Sequence, residues 1–170
     1  PGAPVGTASS PGSTTGMGNA VLSRWPILDA EHRFLDDGRG RRYRTVLATL
    51  IESPFGVLPF FTTHLNYAYD ESEVRMAQLG EVSEFIEGLA VGDLPPVLAG
   101  DLNAIPDSDE VRRLTGRSKP YVRGRIWTDC WEQCGDGDGV TVTWVSFHAY
   151  EAAPTVHLEG GATFNGTSGG

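Results

Sequence analysis

The sequence predicts an α/β fold, a sandwich of mixed β-sheets flanked by helices. Three observations carry that expectation. Two β-rich runs, 44–52 and 57–63, flank the turn signal Ser53-Pro54-Phe55-Gly56 and read as a hairpin. The segment 72–89 has apolar residues at helical spacing, and a short apolar run, 96–100, follows it. Strands and helices are mixed without strict βαβ alternation, which favours mixed sheets over a wholly parallel one.

Taken in order, residues 1–16 are small, Gly-, Pro- and Ser-rich and without periodicity, so they read as a flexible lead-in. Ala20-Val21-Leu22 is a short apolar run ended by Ser23-Arg24-Trp25-Pro26, where proline forces an extended or turn geometry on Trp25. The turn signal Asp36-Asp37-Gly38-Arg39-Gly40 precedes the first hairpin strand. In the helix, Asp70 is placed to cap, with Glu73 three residues on. Val74, Ala77, Val82, Phe85, Ile86 and Leu89 then form one expected buried stripe. Pro96 to Gly100 suits a buried strand, Asp107 to Leu114 a second, shorter helix, and Thr141 to Trp144 a further strand after the glycine-rich turn 135–139. Residues 146–170 are a weakly patterned tail. Cys130 and Cys134 would share a helix face, where a disulfide is strained and two thiols make a poor zinc site, so they read as packing residues.

A chain of 170 residues suits one domain. No stretch approaches the ~18 apolar residues of a membrane span, no protein partner is indicated, and nothing assigns a compartment. The net charge of −9 argues against binding nucleic acid by bulk charge. The charge is uneven, however. From Arg112 to Arg125 there are six basic residues and no acid, a block that reads either as a solvated loop or as a phosphate-facing surface.

The sharpest local signal is Gly100-Asp101-Leu102-Asn103-Ala104-Ile105-Pro106-Asp107-Ser108. In an extended segment residues i and i+2 point the same way, so Asp101 and Asn103 can address one site. A carboxylate there can hold a water or serve as a hard ligand for Mg²⁺, and the amide can reach a phosphoryl oxygen or the ion. The plainer reading is a turn in which these side chains bond their own backbone. An EF-hand is excluded, because Pro106 stands where that loop needs glycine. The second signal is Thr62-Thr63-His64-Leu65-Asn66, again at the end of an apolar strand. Two strand ends joined by one amphipathic helix can converge on one cleft, although a lone strand-end His is commonly structural.

These blocks resemble, in order and spacing, those of the endonuclease/exonuclease/phosphatase superfamily with its deoxyribonuclease I-like fold. Gly18 to Ile27 is similar to the family's strand and Ser-Arg-x-Pro turn, Thr63-His64-Leu65 with Arg75 and Gln78 to the next blocks, and 100–108 to the most specific one. Thr128-Asp129-Cys130-Trp131 and Thr143-Trp144 resemble those that follow, so the likeness covers 17–145. It implies a four-layer α/β sandwich of two face-to-face sheets and hydrolysis of a phosphoester with Mg²⁺ or Mn²⁺. Its implied roles give catalysis to Asp101, Asn103 and His64, and metal binding to Asp101 and Asn103. Arg75 and Gln78 read instead as helix packing.

The resemblance has gaps. No acidic residue precedes Asp29 to stand for the family's metal-binding Glu, and the closing Arg-Ile-Asp-Tyr and Ser-Asp-His blocks have no counterpart. A partial domain that holds its ion weakly is therefore expected. The substrate expected is a phosphorylated one, whether nucleic acid, lipid head group or small phosphoester, with Arg112, Arg113 and Arg117 as candidate substrate-binding residues. The alternatives are a non-catalytic phosphate-binding domain or an inactive fragment, because loss of one catalytic group costs typically ~10²–10⁴-fold.

Overall fold

The computed structural model describes residues 6–9, 18–89, 91–136, 156–157 and 163–164. The expected hairpin forms β4 (Arg44–Ser53) and β5 (Gly56–His64), closed by the predicted turn. It is the centre of a four-stranded sheet in the order β3-β4-β5-β6, with β3 spanning Ile27–Leu35 and β6 Val97–Asp101. β3 and β5 run antiparallel to β4, whereas β6 is parallel to β5, so the sheet is mixed. The parallel step is bridged by α1 (Ser72–Leu89). A second ribbon pairs β1 (Gly6–Ser9) with β2 (Ala20–Ser23). Short helices α2 (Asp109–Leu114) and α3 (Cys130–Cys134) follow, and β7 (Val156–His157) pairs with β8 (Thr163–Phe164).

Alternation along β4 builds two cores, one on each face of the sheet. Val46 and Ala48 join Leu35, Phe61 and Leu65 against Leu79, Val82, Phe85 and Ile86 of α1. Leu47 and Ile51 pack with Val21 on the opposite face, where Ala8, Trp25 and Phe60 complete a smaller cluster beneath the ribbon. Burying each large side chain contributes about 1.5–3 kcal/mol, so the helix face is the main anchor of the sheet.

Several sequence expectations change. Within the lead-in, Gly6–Ser9 is a strand, because it finds the Ala20–Ser23 edge to pair with. β3 escaped the pattern: Asp29, Glu31, His32 and Arg33 make it polar, as suits an exposed edge strand. β6 is also an edge among the described residues, and Val97 is 40% exposed rather than buried. In α1, Ala77 faces solvent while Leu79 is buried, so the stripe is rotated from the expected one. Arg75 and Gln78 are buried in it, in keeping with packing. Glu71, not Asp70, immediately precedes the helix, and its carbonyl accepts from the Arg75 amide. Cys130 and Cys134 are both exposed and free, because α3 buries no residue. Within the tail, 156–157 and 163–164 are paired strands, while Thr141–Trp144 lies outside the described residues.

Candidate functional site

Parallel pairing sets His64 directly beside Asp101 in register, each the last residue of its strand. The Leu65 amide donates to the Asp101 carbonyl at 2.9 Å, which extends the pairing past the strand ends. Gly100 makes this possible. Its φ is +132°, and a Cβ there would stand 2.0 Å from the Thr63 carbonyl oxygen, so only glycine lets β6 run this close to β5.

Beyond the strand the chain turns on Asp101 and Asn103. Asp101 Oδ1 accepts from the Asn103 amide at 2.8 Å, and Asn103 Nδ2 donates to the Leu65 carbonyl at 3.0 Å. Asn103 has φ of 49°, the left-handed region that Asn tolerates better than most residues. The local turn expected as the plainer reading is therefore present. It also leaves Asp101 Oδ2 directed at His64, 3.8 Å from Nε2. That is too far for a direct hydrogen bond and suits a bridging water.

A fourth member is Arg44, for which the sequence offered only the start of the hairpin strand and an arginine-rich stretch near 39–44 that fits a phosphorylated substrate. Its side chain sits at the head of β4, 5% exposed, and its Nε has no hydrogen-bond partner among the described residues. The guanidinium lies 5.4 Å from the Tyr43 ring centre and 5.9 Å from that of Tyr67. Burial pulls its pKa below the usual value, opposed by Tyr43 and by the charge of Asp101. It remains cationic, as arginine does in proteins. His64 is held below the ordinary imidazole range, first by burial and then by the Arg44 charge, with Asp101 acting the other way. His64, Asp101 and Arg44 are thus one electrostatic unit.

A buried polar network supports the loop that leaves β5. The Asn66 amide donates to Gln78 Oε1 at 2.9 Å, the Tyr43 hydroxyl donates to Asn66 Oδ1 at 2.7 Å, and Asn66 Nδ2 bonds Glu71. Arg75 donates to the carbonyls of Ala68 and Tyr69 and pairs with Glu110 at 2.8 Å. Burial of Glu110 raises its pKa, but its own backbone amide, then hydrogen bonds from Ser72 and Arg75 and the Arg75 charge, outweigh this, and it lies below the normal carboxyl range.

The basic block is arranged differently. Arg112 pairs with Asp107, Arg117 with Glu132 and Arg125 with Glu87. Arg113 donates to the Lys119 carbonyl and lies over Tyr121, in a small cavity also lined by Ser83 and Glu87. Ser83 is roughly 16 Å along the α1 axis from Ser72. The structure brings together His64, Asp101, Asn103 and Arg44, and it gives Arg112, Arg113 and Arg117 partners of their own.

The sequence model of the Endonuclease/Exonuclease/phosphatase family matches residues 2–166. The chain belongs to that family. The match is wider than the 17–145 marked by the sequence blocks. Among solved members, humanized TDP2 of D. rerio superimposes with a TM-score of 0.56 at 22% identity, covering 82% of this chain and 53% of that one. ANGEL2, a 2′,3′-cyclic phosphatase, gives 0.53 at 17% identity, covering 66% and 36%. The human Nocturnin catalytic domain gives 0.51 at 15%, covering 65% and 47%. At these identities the likeness is one of fold. In sequence, Protein angel of Drosophila melanogaster is 39% identical over 57 residues, 34% of this chain and 16% of the relative. The chain therefore spans about half or less of the length of these relatives.

Membership supports a phosphoesterase or nuclease-like function, and members generally depend on a divalent metal. The donors present do not by themselves fit such an ion. Among the described residues no group of three His, Cys, Asp or Glu side chains is placed to hold a metal. Asp101 and Asn103 offer one carboxylate and one side-chain carbonyl, whereas Mg²⁺ needs near-octahedral oxygen ligands. No helix among the described residues is long and apolar enough to cross a membrane.

Proposed function

We propose that the chain is a phosphoester hydrolase whose reacting phosphate lies at the carboxyl ends of β5 and β6, beside β4. The observation that carries this reading is Arg44, a buried cation whose Nε has no partner among the described residues, electrostatically coupled to His64 and Asp101. A buried donor without a partner costs free energy that an anion's oxygen would recover. In this reading Arg44 binds a non-bridging phosphate oxygen. Asp101, an acceptor when ionised, orients the attacking water and draws its proton, in the gap between Oδ2 and His64 Nε2. His64, neutral near pH 7, hydrogen-bonds the phosphate or the leaving oxygen. Asn103 holds the turn that aims Asp101. Its second amide hydrogen and its carbonyl are available to substrate beside the bond to Leu65.

No step here runs through a metal, since Asp101 and Asn103 are too few ligands. Dependence on Mg²⁺ or Mn²⁺, weakly held, is part of the proposal and is read directly by assay. Hydrolysis of bis-(p-nitrophenyl) phosphate and of plasmid DNA is measured with Mn²⁺, with Mg²⁺ and in chelator. Asp101→Asn should lower the rate by about 10²–10⁴-fold, the usual range for a lost acid–base group. A rate that Asp101→Asn leaves intact would discard the mechanism, and one that persists in chelator would discard the metal requirement.

A further inference from the structure

Tyr67 and Tyr69 stand on the loop that leaves the site and are 64% and 97% exposed. Single exposed aromatics need no explanation, but these two have unusual support. The buried bonds of Asn66, Gln78 and Arg75 described above fix the loop backbone on both sides of Tyr67, so the rings are presented rather than merely left out. Arg44 lies 5.9 Å from the Tyr67 ring centre, and its charge acts on Asp101 and His64. One guanidinium thus links the proposed phosphate position to an aromatic ring that is largely open to solvent.

We propose that Tyr67, assisted by Tyr69, is a stacking surface for the nucleobase of a small nucleotide or a single-strand end whose phosphate sits at Arg44, His64 and Asp101. The inference rests on the phosphoester reading above and narrows its substrate to a nucleoside phosphate. Aromatic side chains stack any base and tolerate all sequences, because every base has a π-face.

Charge separates this from the other occupants. A long duplex needs many unpaired cations. Here Arg39, Arg41, Arg42, Arg112, Arg117 and Arg125 are each paired to an acid, and the net charge is −9. A lipid surface calls for basic residues around an apolar wedge. Along the chain these tyrosines are flanked by Asn66, Ala68, Asp70 and Glu71, and the one arginine that stacks near Tyr67, Arg44, is buried. A compact ligand with one phosphate and one flat ring suits what remains.

Calorimetric titration of the chain with adenosine 5′-monophosphate, ribose 5-phosphate, inorganic phosphate and adenosine tests this. The monophosphate is expected to bind at least about tenfold more tightly than ribose 5-phosphate, in line with base–aromatic stacking. Tyr67→Leu should erase that difference, and Tyr67→Phe should restore it. Thermal unfolding of each variant checks that the loop is intact, and Tyr69→Leu, at a fully exposed position, should reduce the preference by a smaller factor. Equal binding of the two phosphates, or a preference that survives Tyr67→Leu, overturns the proposal. So does Tyr67-dependent binding to sphingomyelin or phosphatidylserine vesicles without any nucleotide preference. If inorganic phosphate and ribose 5-phosphate fail to bind while adenosine binds through Tyr67, the stacking surface stands and the phosphate site falls.

Discussion

At the carboxyl ends of β5 and β6, one buried guanidinium lies beside an imidazole and a carboxylate, its Nε unbonded among the described residues. Along 112–125, by contrast, Arg112, Arg117 and Arg125 each meet a carboxylate and Arg113 lies on Tyr121. The second region has more positive charge and less of it to offer. An exposed arginine keeps most of its hydration, and once paired its charge is largely cancelled at short range. Arg44 has lost its water without gaining a full set of acceptors, so an incoming anion gains more there. Unspent, desolvated hydrogen-bonding capacity marks an anion site better than density of charge does.

The contrast breaks most completely if β6 is moved. Gly100→Ala places a methyl against the Thr63 carbonyl in a backbone region alanine avoids. It should cost about 3 kcal/mol or more and separate His64 from Asp101. Chemical denaturation gives the stability, and the His64 resonance in an NMR spectrum reports the local change. A variant as stable as the parent would mean that β5 and β6 are not this close.

Arg44→Met should act with opposite signs on binding and stability. Affinity for inorganic phosphate falls roughly 10–100-fold, the value of a charge-assisted hydrogen bond. The melting temperature stays level or rises, because an imperfectly satisfied buried charge is replaced by an apolar chain. A large loss of stability with affinity kept would make Arg44 a structural residue.

The pH dependence of stability sharpens the same end of the sheet. His64 has a lower pKa folded than its ordinary 6.5, so the unfolded chain binds more protons near that value. Stability therefore rises with pH from the folded pKa up to about 6.5 and is level above, as far as this group is concerned. His64→Gln should flatten that segment of the curve, and Arg44→Met should reduce it by removing a cation that disfavours protonation. An unchanged slope in His64→Gln would assign it to another group.

The smallest effects belong to the basic block. Arg112→Ala and Arg117→Ala should change stability by about 0–1 kcal/mol each, as exposed ion pairs do. Neither should weaken phosphate binding by as much as Arg44→Met. Salt-dependent loss of affinity in Arg117→Ala of comparable size would restore the block as a substrate surface.

The hairpin and α1 were legible in sequence because each is fixed by a local rule: a turn signal between β-rich runs, and a 3.6-residue apolar period. Asp101, Asn103 and His64 were legible because polar residues directly after apolar strands are costly unless the strand end is exposed. The sequence alone therefore determined these elements, the family and two of the strand ends that meet. Only the tertiary structure decided that Arg44, at the start of the hairpin and twenty residues from His64, belongs with them, because the order β4-β5-β6 is a fact of pairing that no local pattern contains. The same holds for the strands at Gly6–Ser9 and Ile27–Leu35, whose polar or small residues are extended only because a partner edge lies beside them. Partner choice likewise settled the arginines. A guanidinium's reach to Asp107, Glu132 or Glu87 depends on where the helices pack, and this decided which cations were already spent.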